Sequence, residues 1–366
     1  MVPARYLTGL AGLVVAFILA TTLLLPSIAT ASTAAPPKWP GRTIAISGGH
    51  VFVVAGGTRA VFALSRPLSS PNPAGTLTRI DPTDLRHRTM RTPIPGAEGL
   101  VLAGGWLWVV SVRTPGAVRL YRIDPNTLKV VGTSALPGAV SGIDVEAAET
   151  AATGGPLWVS VGLRLYALNP KNGRLLHSAT LPFSMESLSE NPLGTLLYAS
   201  GRPESVALDQ PTLVVDQLNA SSGAVLATWS TEFAVGGGSV SATSAGVWVS
   251  ARSGNAGSSS LLLADTLQSV SSPTPFPVDS PLERATGLGG QTPYESIGGV
   301  QGEVSNHVLW LSASSYLACT DPDSQAVRAY ELTPADEGTV LSVGRRLYLA
   351  RAHGLSVIRS PAACFR

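Results

Sequence analysis

The sequence predicts an all-β protein, a seven-bladed β-propeller of four-stranded antiparallel blades whose last blade is left incomplete. Three observations carry that expectation. An apolar–aromatic run after a small-residue turn recurs seven times: Val51-Phe52-Val53-Val54, Leu107-Trp108-Val109-Val110, Leu157-Trp158-Val159, Leu197-Tyr198-Ala199, Val247-Trp248-Val249, Leu309-Trp310-Leu311 and Leu347-Tyr348-Leu349. A second landmark follows each of the first six: Ile80-Asp81-Pro82, Ile123-Asp124-Pro125, Leu168-Asn169-Pro170, Leu218-Asn219-Ala220, Ala264-Asp265-Thr266 and Thr320-Asp321-Pro322. These landmarks lie mostly about 40–50 residues apart, the period of propeller blades. Finally, 38 Gly and 28 Pro in 366 residues supply the turns that many short strands need.

The clearest copy spans residues 104–138 and the strand just before it. Strand A is read at 99–103, B at 107–112, C at 118–123 and D at 129–135. Strand B is apolar on both faces because a blade is covered on both sides by its neighbours. Its aromatic can be read as a ligand platform or as a wedge between blades, and seven aromatics at one repeat position favour the wedge. The Asp-Pro element closes the C–D hairpin: Pro presets φ for a turn, and the Asp or Asn before it accepts from backbone N–H groups two residues on. As metal ligands these carboxylates would have to leave their turns; Asp321-Pro322-Asp323 is the richest in oxygen. Residues 338–343, 346–350 and 355–359 give strands A, B and C of the last unit. Its outer strand is either missing or supplied by the segment around residues 38–42, since an open ring would expose apolar faces and strand edges.

Trp-Val strands followed by Arg-Ile-Asp-Pro-x-Thr and an apolar D strand resemble the YVTN-type and virginiamycin B lyase-like repeats. Those repeats belong with the NHL and quinoprotein-like propellers, and the resemblance covers roughly residues 42–365. It implies the architecture, while repeats of this type carry enzymes, sensors and scaffolds alike. For the lyases it implies His and Glu side chains converging with a divalent cation on the central channel. Here His50 and His307 are read in A–B turns, His87 and His177 in D strands, and His353 alone on a B–C connection. The quinone-enzyme cluster of polar and acidic residues is likewise not evident.

Residues 1–31 read as a signal peptide or membrane anchor, 32–41 as a linker and 42–366 as the propeller. Arg5 precedes an uncharged apolar run over residues 7–25, Pro26 breaks it, and Ala29-Thr30-Ala31 fits a cleavage site before Ser32. The run is also near the minimum for a spanning helix. Both readings place the protein outside the cytoplasm. Cys319 and Cys364, the two cysteines, then form the available disulfide, the alternative being two buried thiols.

Only 13% of residues are charged and the formal net charge is +2, so nucleic acid is not an expected partner. There is no Gly-x-Ser-x-Gly elbow, His-Glu-x-x-His, Gly-x-x-x-x-Gly-Lys or Cys-x-x-Cys. Asn219-Ala220-Ser221 matches a glycosylation sequon but sits on a C–D turn.

The connections point to one face. Long insertions are read at residues 56–75, 201–211 and 253–259 (B–C) and at 271–293 (D–A), with 145–155 as an A–B exception. Glu98, Glu186, Glu295 and Glu337 each fall in a D–A connection just before an inner strand. They could converge at the channel mouth to hold a divalent cation or attract a basic partner, or each could bond a neighbouring backbone N–H. Arg42 is read as their internal neutraliser. No cofactor is expected beyond such a cation. The expected function is an exported or membrane-tethered binding module taking a protein or small-molecule ligand, and no nucleic acid, on the loop-rich face, with the chain a monomer and membrane contact only through the N-terminal segment. The alternative is a propeller enzyme, a metal-assisted lyase or hydrolase.

Overall fold

The computed structural model describes residues 41–67, 74–112, 117–136, 150–151, 154–203, 213–231, 238–242, 246–253, 256–263, 267–268, 274–277, 301–305, 308–313, 316–320, 327–331, 340–343, 346–351 and 354–359. All fall in the compact unit Pro36–Arg366. Strand β1 (Arg42–Ala45) comes first. The sheet that follows contains β2 (His50–Gly57), β3 (Ala60–Arg66), β4 (Ala74–Ile80) and β5 (His87–Thr89), with β6 (Ile94–Pro95) pairing β4. Next come β7 (Ala97–Ala103), β8 (Trp106–Val112), β9 (Val118–Ile123) and β10 (Val130–Ala135). The third sheet holds β11 (Thr150–Ala151), β12 (Leu157–Val161), β13 (Arg164–Leu168) and β14 (Leu175–Thr180). The fourth holds β15 (Phe183–Glu190), β16 (Leu196–Pro203), β17 (Leu213–Asn219) and β18 (Val225–Thr231). The fifth holds β19 (Gly238–Ala242), β20 (Gly246–Ser253), β21 (Ala256–Leu263) and β22 (Thr274–Pro277). The sixth holds β23 (Gln301–Ser305), β24 (Val308–Ala313), β25 (Tyr316–Thr320) and β26 (Val327–Glu331). The last begins with β27 (Val340–Val343), β28 (Arg346–Arg351) and β29 (Gly354–Arg359).

Among the described residues the strands therefore group into seven antiparallel sheets, each built by consecutive hairpins except the last. That sheet takes β1 as its outer strand, with Arg42 opposite Val357 and Ala45 opposite Gly354. The first strands of successive sheets touch in turn, and β27 touches β2. The core lies between sheets rather than within one. Phe62, Leu64 and Leu77 of the first sheet pack with Leu100, Leu107 and Val109 of the second. Trp108 packs with Val159 and Tyr166 of the third. Tyr348 and Leu355 of the last pack with Val51 and Val61 of the first. Second strands are buried on both faces, as in the fully buried β12, which is why they do not alternate.

Of the two readings of the last sheet's outer strand, the one that takes it from the N-terminal segment holds, and the strand begins at Arg42 and runs to Ala45. Several expectations need correction. Arg42 is exposed on that outer strand, away from the entrance of the first sheet where it was expected to neutralise acids. Phe52 lies on the innermost β2; the aromatic equivalent to Trp108 is Phe62, because Phe62 faces Arg79 as Trp108 faces Arg122. Two consecutive apolar–aromatic runs compete there, and a tight hairpin between Gly57 and Ala60 makes the second one the middle strand. Residues 56–75 therefore hold that hairpin, β3 and the start of β4, not one insertion, with 68–73 outside the described residues. His50 opens β2 instead of lying in an A–B turn. Residues 253–259 form a tight hairpin with Ser253 opposite Ala256. Within 145–155 lies the inner strand β11, so that stretch is not an A–B insertion. His87 and His177 are on the outer strands β5 and β14, as read; His307 and His353 lie outside the described residues.

The four C–D turns described in full share one local cause. Asp81, Asp124, Asn169 and Asn219 each accept from the backbone N–H two residues on, at 2.7–2.9 Å. The residue four positions after the Asp or Asn has positive φ, as Leu85, Leu128, Gly173 or Gly223. The N–H groups of Thr127 and Asn126 hold the Asp124 carboxyl below the usual carboxylate range, and that of Thr83 does the same for Asp81.

Candidate functional site

Glu98 and Glu186 occupy the same position of the repeat, but inside the inner strand and not in the connection before it. In β7 the register shifts between Ala97 and Gly99, leaving Glu98 as the extra residue of a β-bulge. In β15 it shifts between Met185 and Ser187, leaving Glu186. The first sheet has its bulge at the same place, between Val51 and Val53, with Phe52 there. Bulges at strand ends re-aim one side chain out of the ladder, and here they do so at the D–A/B–C face.

Each acid meets an arginine at the end of a second strand. Arg66 Nη1 donates to both carboxylate oxygens of Glu98 at 2.6 Å, bridging the first and second sheets. Its guanidinium also lies 4.4 Å from the centre of the Phe52 ring. Arg202 Nε donates to Glu186 Oε1 at 2.7 Å, and Glu186 Oε2 accepts from the Gly238 N–H of the fifth sheet at 3.0 Å. The zipper continues along these two inner strands: Ser187 Oγ accepts from the Val240 N–H and Ser189 Oγ from the Ala242 N–H. Glu98 and Glu186 retain 15% and 24% side-chain exposure, enough for a solvent-facing rim but not for free carboxylates.

Glu98 and Glu186 thus sit on the second and fourth sheets, each engaged by its own arginine. Glu295 and Glu337 lie outside the described residues. Among the described residues no group of three or more His, Cys, Asp or Glu is placed to hold a metal ion. The arginines were missed by sequence reading although a signal exists: Arg66, Arg202 and Arg252 each follow a middle-strand aromatic (Phe62, Tyr198, Trp248) by four residues. Cys319 is fully buried opposite Trp310, and Cys364 lies outside the described residues.

The face is also distinguished by its connections. A–B turns and the C–D turns of the first four sheets are short, with β21 to β22 a longer C–D connection, whereas the two longest connections, β10 to β11 and β22 to β23, are D–A segments on the opposite side.

Solved structures fit this geometry. The chain is similar to the WD40 domain of Pan2 from Neurospora crassa, with TM-score 0.58 and 10% identity over 89% of this chain and 98% of that one. It is similar to hydrazine synthase from Kuenenia stuttgartiensis, with TM-score 0.58 and 11% identity over 88% and 99% of the two chains. The WD40 domain of Toxoplasma gondii coronin gives TM-score 0.56 and 10% identity over 88% and 87%. The fold is a β-propeller. At such identities the likeness extends to the fold alone. No family model matches the sequence, and no curated protein matches it.

Proposed function

We propose that this β-propeller is an interaction module held outside the cytoplasm, taking a protein or small-molecule ligand on its D–A/B–C face. The observation that carries the reading is the asymmetry of the connections: the two longest, β10 to β11 and β22 to β23, are D–A segments on one side, while the other side holds mostly short turns. Connections elaborated on one face of a rigid scaffold are the usual carriers of binding. The Arg66–Glu98 and Arg202–Glu186 pairs stand at the same face; Arg66–Glu98 ties the first sheet to the second, and Glu186 ties the fourth to the fifth through the Gly238 N–H. They favour binding over metal-assisted catalysis, because a carboxylate already engaged by a guanidinium is a poor ligand for a hard cation. The sequence pattern of residues 1–31 supports export or tethering, and the repeat motif supports a place near the YVTN-type and NHL-like propellers.

The test is face-specific. Replacing residues 278–300 by a short Gly-Ser linker should abolish cross-linking to the native partner in envelope preparations. Substituting exposed C–D turn residues such as Asn126→Ser should leave it intact. Equal loss from both faces, or from neither, overturns the assignment.

A further inference from the structure

The opposite face carries a different pattern. On the C–D turns and outer strands of the first three sheets, Arg86, Arg88, Lys129, Lys171 and Arg174 are all exposed. The carboxylates there are Asp81, Asp84 and Asp124; the first and third are held by backbone N–H groups of their own turns, and Asp84 pairs with Arg86. Exposed apolar side chains begin the adjoining outer strands at equivalent positions: Val130 and Val131 on β10, Leu176 on β14, Val225 and Leu226 on β18. Leu193, in the β15–β16 turn of the same face, is 74% exposed.

These elements are contiguous. A Cβ on Gly173, in the third sheet's turn, would lie 3.1 Å from Ser134 Oγ on the outer strand of the second. One on Gly223 would lie 3.5 Å from His177 Nε2 on the outer strand of the third. Arg346 donates to the Thr83 carbonyl at 2.8 Å, joining the last sheet to the first sheet's turn. The arc therefore runs from the first sheet, whose Arg88 acts electrostatically on Asp124 of the second, through to the fourth, with cations giving way to apolar pairs. Arg42 marks the C–D end of β1, so the first described residues lie at this face.

We propose that this arc rests on an anionic lipid surface, the cations meeting headgroup phosphates and the Val and Leu pairs entering the interface. Cations beside exposed apolar side chains are the combination that binds a charged bilayer surface, where each Lys or Arg adds to affinity and apolar area supplies the rest. Membrane contact then extends beyond the N-terminal segment, and the D–A/B–C face is turned outward to its ligand. The orientation rests on the tethered reading, since residues 32–41 reach at most about 35 Å from their attachment; the lipid contact does not.

Vesicle flotation separates the two. The chain beginning at Ser32, which keeps every described residue, should bind vesicles of phosphatidylcholine with about 30% phosphatidylglycerol at least about tenfold better than phosphatidylcholine alone at ~50 mM salt. Raising salt to ~300 mM should remove most of the difference. The combined variant Arg88→Glu, Lys129→Glu, Lys171→Glu, Arg174→Glu should lose it at unchanged Tm. Val131→Ser with Leu226→Ser should weaken binding several-fold while keeping its salt dependence. Equal binding to both vesicles, or charge reversal without effect, overturns the proposal. So does salt-sensitive binding to an acidic polypeptide with none to vesicles. Flotation of the full chain on pure phosphatidylcholine reports the tether independently, so its failure with lipid-face binding intact would sink only the orientation.

Discussion

The indole N–H of Trp108 donates to the Pro170 carbonyl at 3.1 Å, tying the wedge of the second sheet to the turn of the third. The same ring closes over Gly173, whose Cβ position lies 2.9 Å from two of its carbons, at φ of +72°. Gly173→Ala combines a left-handed backbone with a steric clash. It should cost about 2–4 kcal/mol in urea denaturation. Gly105→Ala is the control: φ is +80° but nothing lies within 4 Å, so it should cost only about 1 kcal/mol. Equal costs would show that the Trp108 contact contributes nothing.

The pH dependence of stability should have two opposed components. Asp124 is held below its ordinary pKa by the N–H groups of Thr127 and Asn126. Its contribution is present above the unfolded value near ~3.9 and is lost as pH falls through the folded pKa. Asp216 is the reverse case. It is 3% exposed on β17, and burial raises its pKa even though Thr228 Oγ1 donates to it at 2.6 Å. An acid with a raised folded pKa makes stability fall as pH rises from about 4 through that folded value. Asp216→Asn should remove the decline that begins above about pH 4 in a Tm–pH profile, and Asp124→Asn should change the profile below it. Identical profiles for both variants would remove the distinction.

How much of this was legible in the sequence depended on whether a feature is local. Asp124 and Asn169 declare their turns because the side chain bonds its own backbone two residues on. Trp108, Trp158 and Tyr198 declare their strands because doubly covered strands must be apolar throughout. The role of β1 is not local: Arg42–Ala45 has a single buried side chain, and nothing in four residues states which of seven sheets they join. Phe52 and Phe62 head two runs of equal quality, and only pairing with Arg79 separates them. The bulge acids recur visibly, but their arginine partners come from a neighbouring strand or sheet. Arg66 and Glu98 are 32 residues apart.

The Glu186 network should behave as structure, not as a cation site. Glu186→Gln keeps an acceptor for the Gly238 N–H but loses the charge that faces Arg202. The expected cost is about 0.5–1.5 kcal/mol, given the partial exposure of the pair. Calorimetric titration of the wild type with Ca²⁺ or Mg²⁺ should give no binding heat and no rise in Tm. A saturable heat abolished by Glu186→Gln would restore the cation reading.

A Cys319–Cys364 bridge would join β25 to the end of the chain beyond β29, holding the final sheet against the sixth. In the chain-entropy model such a loop stabilises by roughly 4 kcal/mol. Intact mass after alkylation without reductant should show no modified thiol, and reduction should lower Tm. Two alkylated cysteines in the native, unreduced protein would refute the bridge.

Strand β1 should govern the cooperativity of the whole ring. It covers the edge of β29, and Ile44, its buried side chain, packs with Val51, Tyr348 and Leu355 across the junction of the last and first sheets. Ile44→Ala leaves a cavity at that junction and should cost about 2–4 kcal/mol. Removing residues 41–46 goes further, because β29 then presents an unpaired edge and the junction loses its lid. The truncated chain should unfold in a broadened transition that begins at the last sheet, with faster amide exchange in β27, β28 and β29 than in β7 to β9. A peptide of residues 40–47 should restore the missing strand in trans, raising Tm with the logarithm of its concentration as a ligand of the native state does. A peptide carrying Ile44→Lys should not, since it can pair with β29 but cannot bury its side chain. Full cooperativity in the truncated chain would mean that the ring is held by its inner strands alone and that β1 is merely attached to it.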